Sequence, residues 1–391
     1  MRLSTPALPD ALPRWLYLGS ALLTGLAVLG KAPLVAGVVP VPAGLVYVLC
    51  AASCLVPLLY RKFLSVARYL AVPIVLAVWL VAVVVQSRLL SHFHSEGRGT
   101  DQGDCVSVGV GQLLHGSWPY DRALMWSHNP MSCGPGWLAA HVPSALIGYP
   151  ATMAVLFTCA VAVVYRLHGS DVTAKFLVLL AITPGFWLSY ANGNDFVTFG
   201  VIVVAVSALT VTDRPVHRWL AVAGAVVVSQ FRLPFVLLPA AMRVRWQVPA
   251  CLVSIGLYGV FAWWRPDAMF RDGPFHVLEK SADLAGVPGG RLVTVVLFVV
   301  VTVAIAMVAL RFPARYSALV YITLALVPLA AAGLVAAIRE QHGVIDVLGH
   351  WEGVSWLTAV VAVAAGLMGG TGDARCRSGI GTAVGDRRRT G

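Results

Sequence analysis

Charge is what this chain has least of: 12% of its 391 residues are Asp, Glu, Lys or Arg, while 59% are apolar. So little charge excludes an ordinary soluble domain, because recurrent apolar runs near twenty residues match the roughly 30 Å hydrocarbon slab of a bilayer. The chain therefore reads as a polytopic, all-α membrane protein. Its seven cysteines contain no CxxC pair and no Cys/His set of ligand spacing, so neither a metal nor another cofactor is expected. His92, His94, His115 and His128 likewise lack the i, i+4 spacing of a helical metal site. An internal repeat is also missing, which speaks against a transporter built from paired halves. No stretch is polar enough for a soluble domain. The longest polar segments are 91–134 and 265–290, so a catalytic surface would have to be assembled from loops resting on helix ends.

What is present in excess is arginine. A net charge of +11 suggests nucleic acid in a soluble protein, but in this setting it reads as cations retained on the cytoplasmic side of the spans. The apolar runs predict ten crossings, at about 15–30, 41–60, 67–87, 151–166, 173–190, 196–212, 247–264, 291–311, 315–337 and 353–370. Arg61, Lys62 and Arg68 put the second turn inside, so the 91–134 loop emerges outside. Residues 134–149, broken by His141 and Pro143, are expected to lie along the interface with aromatics at headgroup depth. The run 218–242 carries Gln230, Arg232 and Pro234 at its centre and reads either as one span or as a re-entrant hairpin. The hairpin places Arg243, Arg245, Arg311, Arg315 and the tail arginines inside, which the positive-inside rule favours. Both termini are then cytoplasmic. The expected divisions are an N-terminal transmembrane pair (1–66), a module with the polar loop (67–264), a C-terminal module (265–370) and a basic tail (371–391).

The polar loop carries the chemistry. Asp101 and Asp104 lie three residues apart, followed by Trp118, Tyr120 and Asp121, and by Cys105 and Cys133. A membrane enzyme working outside the cytoplasm lacks nucleotides and takes activated groups from a lipid carrier. It needs a carboxylate to deprotonate the acceptor, cations for the leaving phosphate and a greasy groove for the carrier tail. The two cysteines, in an oxidising compartment, would form a disulfide worth about 3 kcal/mol to the loop on a chain-entropy estimate.

The pattern Asp101-Gln-Gly-Asp104, then Leu113-Leu114-x-Gly116-x-x-Pro119-Tyr120-Asp121, then Asn129-Pro130-Met131-Ser132-x-x-Pro135-Gly136 resembles the first extracytoplasmic loop of GT-C glycosyltransferases, especially the actinobacterial polyprenyl-phosphate-mannose-dependent type. The resemblance extends over residues 67–245, including Gly193-Asn194-Asp195 and Arg232 before Pro234. It implies a catalytic base early in the loop and a polyprenyl-phosphate sugar as donor, so the base is Asp104 or Asp101. Both acids are otherwise explained as caps of a helix beginning near Val106. Trp118, Tyr120 and Asp121 offer stacking faces and hydrogen bonds to a sugar, though a Pro-Tyr-Asp turn also simply closes a loop. Arg232, a cation at bilayer depth, needs a phosphate or a carboxylate such as Asp195. Asn192, Asn194 and Asp195 supply polar contacts or only a tight turn. Arg265 and Arg271, with His276 and Lys280, are candidate phosphate contacts, and His350, with Arg339 and His342, lies near another outer end.

These readings point to an enzyme that moves mannose, another hexose or a pentose from polyprenyl phosphate to an extracytoplasmic glycan or glycolipid acceptor, embedded in membrane lipid and without nucleic acid. The alternatives are a flippase of lipid-linked glycan and a non-catalytic cell-envelope assembly partner.

Overall fold

A computed structural model describes residues 15–22, 25, 67–95, 100–183, 185–285, 290–339, 360–365 and 367. Most of the expected N-terminal pair, His342, His350 and the basic tail lie outside the described residues. Among the described residues the chain is helical throughout, with no strand. Four helices are long and apolar enough to cross a membrane: Ala67–His92, Tyr149–Ile182, Gln247–Trp264 and Gly290–Leu310. Shorter apolar helices at Phe196–Thr210, Pro215–Ser229 and Tyr316–Val327 pack among them. Large apolar side chains stay exposed along the outer flanks, such as Val72, Leu76 and Leu80, or Val248, Leu252 and Ile255. That is the surface a helix presents to lipid, and it is costly in water.

Helix α1 (Ala67–Leu80) runs through a π turn, Val81–Gln86, into Ser87–Ser95. The polar loop opens with α2 (Gln102–Leu114) and ends in two short helices, α3 (Pro135–Ala140) and α4 (Ser144–Ile147). The expected interfacial stretch is seen as an interruption with Val142, Leu146 and Ile147 exposed, while its aromatics turn inward: Trp137 is fully buried and Tyr149 nearly so. Their rings pack inward on Phe199, Phe231 and His141 rather than sitting at headgroup depth.

Next comes α5 (Tyr149–Ile182), broken at Gly169, whose φ of 84° and ψ of 176° suit only glycine. Phe157 packs on Phe186 and Tyr190 of α6 (Phe186–Ala191), at 6.5 and 6.3 Å. In an unbroken helix residues 157 and 182 would stand about 38 Å apart. Four further residues recover at most about 14 Å. The chain therefore doubles back at Gly169, giving two helices where one run of helix is nominally continuous. After the 192–195 turn follow α7 (Phe196–Thr210) and α8 (Pro215–Ser229).

The stretch after α8 reverses direction. The Trp219 ring packs at a tilt on Trp246, centroids 4.0 Å apart, which sets the start of α8 beside the start of α10 (Gln247–Trp264). Ser229 reaches only to Ser254 in the middle of α10, its hydroxyl 2.6 Å away. From there a 3-10 turn (Leu233–Phe235) and the short α9 (Leu238–Ala241) bring the chain back down. Pro234 lacks the N–H that would continue the helix. Arg243, in the left-handed region at φ 52°, then donates to Leu310 O at 2.7 Å, at the far end of α13 (Gly290–Leu310). This is the doubling-back geometry of the hairpin alternative, not that of a single straight helix.

The polar loop descends to meet that break. Gly134 N–H donates to Gln230 O at 2.7 Å and Gly136 N–H to Gln230 Oε1 at 3.4 Å, while Gln230 Nε2 donates to Ser254 O at 2.9 Å. A β-carbon on Gly134 would lie 2.5 Å from Tyr258 Oη and 2.7 Å from Gln230 O, and the backbone oxygen cannot swing away. Gly134→Ala is therefore expected to unseat the loop and cost about 1–3 kcal/mol. Thermal unfolding in detergent measures it, and an unchanged midpoint would mean the loop is not seated on the break. Further helices are α11 (Pro266–Arg271), α12 (His276–Ala285) and α14 (Ala314–Arg339), with α12 and α14 packed on α13.

Candidate functional site

The first turn of α2 faces two ways. Asp101 sits at the N-cap position, yet its carboxylate caps nothing. Asp101 Oδ2 instead accepts from Ser127 Oγ at 3.0 Å and from Asn129 Nδ2 at 2.9 Å. Asp104 Oδ2 accepts from Trp126 N–H at 3.0 Å. The helix begins at Gln102, four residues before the expected start, and both acids are used to strap residues 126–129 across it. Gln102 points the other way and accepts from Asp195 N–H at 2.8 Å.

Asp195 closes the turn after α6. Gly193, at φ 77°, makes the turn tight, and Asn194 Oδ1 accepts from Phe196 N–H at 2.9 Å, capping α7. The Asp195 carboxylate, 1% exposed, meets Arg232 at the break: Arg232 Nη2 lies 3.1 Å from Oδ1. Arg232 Nη1 also donates to Phe231 O at 2.7 Å, satisfying a carbonyl of the interrupted stretch, and the guanidinium lies 4.2 Å over the Phe231 ring. Burial pushes the Asp195 carboxyl up, against the opposing pull of Arg232. A carboxylate is thus the partner of this cation, and Asn192 lies at the same turn with its side-chain oxygen buried and without a hydrogen-bond partner among the described residues.

Two polar cavities lie beyond the loop. One, about 470 Å³, is lined by Trp118, Tyr120, Asp121, Arg265 and Arg271 together with Gln112 and Trp264. Five expected substrate contacts from two distant segments therefore share one wall. Trp118 and Tyr120 present little of their rings, however, at 7% and 0% exposure. Trp118 Nε1 donates to Tyr120 O at 3.0 Å, and Asp121 Oδ1 accepts from Ala123 N–H at 3.0 Å, so all three also fix the loop's own shape. The second cavity, about 590 Å³, is lined by Arg122, Asn129, Arg271, His276, Glu279 and Lys280, among others. Asp272, 8% exposed, separates the two, gripping Arg122 at 3.1 Å on one side and Arg271 at 2.8 Å on the other. Burial holds the His276 imidazole below its usual range; Lys280 and Arg232 act the same way and Asp101 opposes them, so all three charges bear on one ring.

Directly against the second cavity lies an apolar one of about 180 Å³. The partition is α12, whose His276, Glu279 and Lys280 face the polar side while Val277 and Leu278 face the apolar side. The apolar lining then continues along α13 through Thr294, Leu297, Val301 and Ile305, roughly 16 Å of helix, with Pro234 of the break at its edge.

Neither Asp101 nor Asp104 lines these cavities, and neither do Asp195, Arg232, Asn192 or Asn194. Asp101 stands one hydrogen bond behind the second cavity, through Asn129. The roles of Arg122, Asp272 and Gln102 were not legible beforehand: each is an ordinary loop polar residue until its partner, 93 to 150 positions away, is known. Among the described residues no three His, Cys, Asp or Glu side chains gather as a metal-binding group. The chain matches no known family model, no curated protein and no solved structure.

Proposed function

We propose that this is a membrane glycosyltransferase of the GT-C kind, with ten crossings, a re-entrant hairpin at 218–242, cytoplasmic termini and an outward-facing site. It transfers mannose or another hexose or pentose from a polyprenyl-phosphate donor to an extracytoplasmic glycan or glycolipid. One observation carries the reading: a cation-lined cavity stands directly over an apolar one, with a single helix, α12, serving both. That pairing suits a ligand with an anionic head and a hydrocarbon tail.

In this reading Lys280, Arg271 and Arg122 hold the donor phosphate and stabilise its charge as the glycosidic bond breaks. Lys280 is exposed and lines the cavity, where its charge faces the ligand's phosphate. The chain runs down the α13 stripe. The neighbouring cavity, with Trp264, Arg265 and Gln112, receives the acceptor. The acceptor's hydroxyl reaches from there into the donor cavity beside Asn129, where Asp101, joined to that wall through Asn129, takes its proton.

The test is a reconstituted transfer assay that follows release of polyprenyl phosphate and formation of glycosylated product. Lys280→Ala is expected to raise the donor KM about tenfold, near 1.4 kcal/mol of lost phosphate contact. Leu297→Trp, which fills the apolar cavity, is expected to abolish use of long-chain donors. A well-folded protein that neither binds nor consumes any polyprenyl-phosphate sugar overturns the proposal. A second reading, a carrier or assembly protein that binds lipid phosphate without transfer, draws on the engagement of both acids in strapping 126–129. Donor binding without sugar release would select it.

A further inference from the structure

Cys105 lies on the first turns of α2 and Cys133 at the far end of the loop strap, 28 residues on. Their sulfur atoms face each other at 2.9 Å, and both side chains are buried, at 6% and 1% exposure. All four described cysteines are free thiols in the structure, and Cys159 and Cys251 sit on separate helices, α5 and α10, with no facing thiol among the described residues. We infer that Cys105 and Cys133 are joined as a disulfide in the mature protein, and that this bond locks the strap that lines both polar cavities. The inference stands whatever group the protein transfers.

The enclosed segment supplies Trp118, Tyr120, Asp121, Arg122 and Asn129, so one covalent tie holds the parts of both cavities that come from the loop. In the docked loop the Cys133 thiol and burial together push the Cys105 thiol well up, which leaves little thiolate to react. Oxidation therefore precedes docking, as the loop reaches an oxidising compartment. A thiolate of the pair attacks the disulfide of a dithiol oxidoreductase and expels one of that carrier's sulfurs as thiolate. The second cysteine then attacks the mixed disulfide and expels the other. The protein gains a disulfide and loses two protons and two electrons, and the carrier leaves as its dithiol. A stable bond of this kind also places the loop outside a reducing cytosol, independently of the arginine distribution.

The test uses the full chain in membranes, with thiols trapped by an alkylating reagent at lysis and the protein then denatured. Digestion without reductant is expected to yield one linked peptide containing Cys105 and Cys133, lost on reduction, with both thiols unalkylated beforehand and Cys159 and Cys251 alkylated. Cys105→Ser is expected to make Cys133 alkylatable; should that variant not accumulate, the wild-type peptide map decides alone. Full alkylation of both cysteines in the unreduced protein overturns the inference. A positive result with a silent transfer assay would leave the disulfide in place and remove only the glycosyltransferase reading.

Discussion

Asp195→Ala should destabilise the protein by about 3–5 kcal/mol, the usual cost of stranding one partner of a buried ion pair. Arg232 is 12% exposed and its guanidinium faces Asp195, Phe231 and Phe196, so once Asp195 is gone no other carboxylate among the described residues pairs with it. The loss should be larger than that of either surface pair at Lys175–Asp171 or Arg218–Asp213, which are water-screened and contribute little. Replacing both partners, as Asp195→Leu with Arg232→Met, should recover most of the stability, because the unpaired charge and not the missing attraction dominates the cost. Thermal unfolding of the single and double variants in the same detergent measures this. Near-equal midpoints for wild type and Asp195→Ala would show that water reaches the pair. The wider consequence is local: Asp195 N–H also binds Gln102, so loss of the turn should loosen the start of α2 and with it the acids.

The second large effect concerns those acids. Asp101→Asn is expected to lower transfer by 10²–10⁴-fold, the range for a lost general base, while the protein still folds. Asparagine Oδ1 can still accept from Ser127, so the strap is kept and the charge is what is removed. Asp104→Asn should cost no more than about tenfold, since its oxygen serves Trp126 N–H from within the helix face. The double variant should be inactive. If Asp104→Asn is the more damaging, the base is Asp104 and the cavity behind Asn129 is not where the acceptor is deprotonated. If both variants keep full activity, neither acid is a base and their role is to strap the loop.

Much of the helix layout was legible because lipid-facing runs need only composition and length. The division between 166 and 175 was legible from Arg166, His168 and Lys175, and the break after Ser229 was one of two readings offered by Gln230, Arg232 and Pro234, residues that a straight span accommodates poorly. The inward turn of the aromatics in 134–149 was not. Trp137 and Tyr149 suit an interface by type, and only the presence of Phe199, Phe231 and His141 on neighbouring helices makes them core. At the site, Arg232 announced a need for a partner, and Asp195 was among the few carboxylates at the right depth. The acids were another matter. Asp101 and Asp104 were read as a catalytic base or, failing that, as local caps, yet their partners sit 22 to 28 residues away in a strap whose course depends on Gln230. Likewise Trp118, Tyr120, Asp121, Arg265 and Arg271 were nameable as types, but their common cavity arises only once α10 and α11 close over the loop.

The proposed function requires that one lipid phosphate fill both the cationic pocket and the apolar one on either side of α12. Photolabelling with a polyprenyl phosphate bearing a photoreactive group in its chain, on the full protein in vesicles, tests this most directly. The expected result is label on Val277, Leu297 and Val301, displaced by unlabelled polyprenyl phosphate but not by the corresponding alcohol, and reduced in Lys280→Ala. Label spread over the lipid-facing sides of α1 and α10, indifferent to competitor, would contradict it.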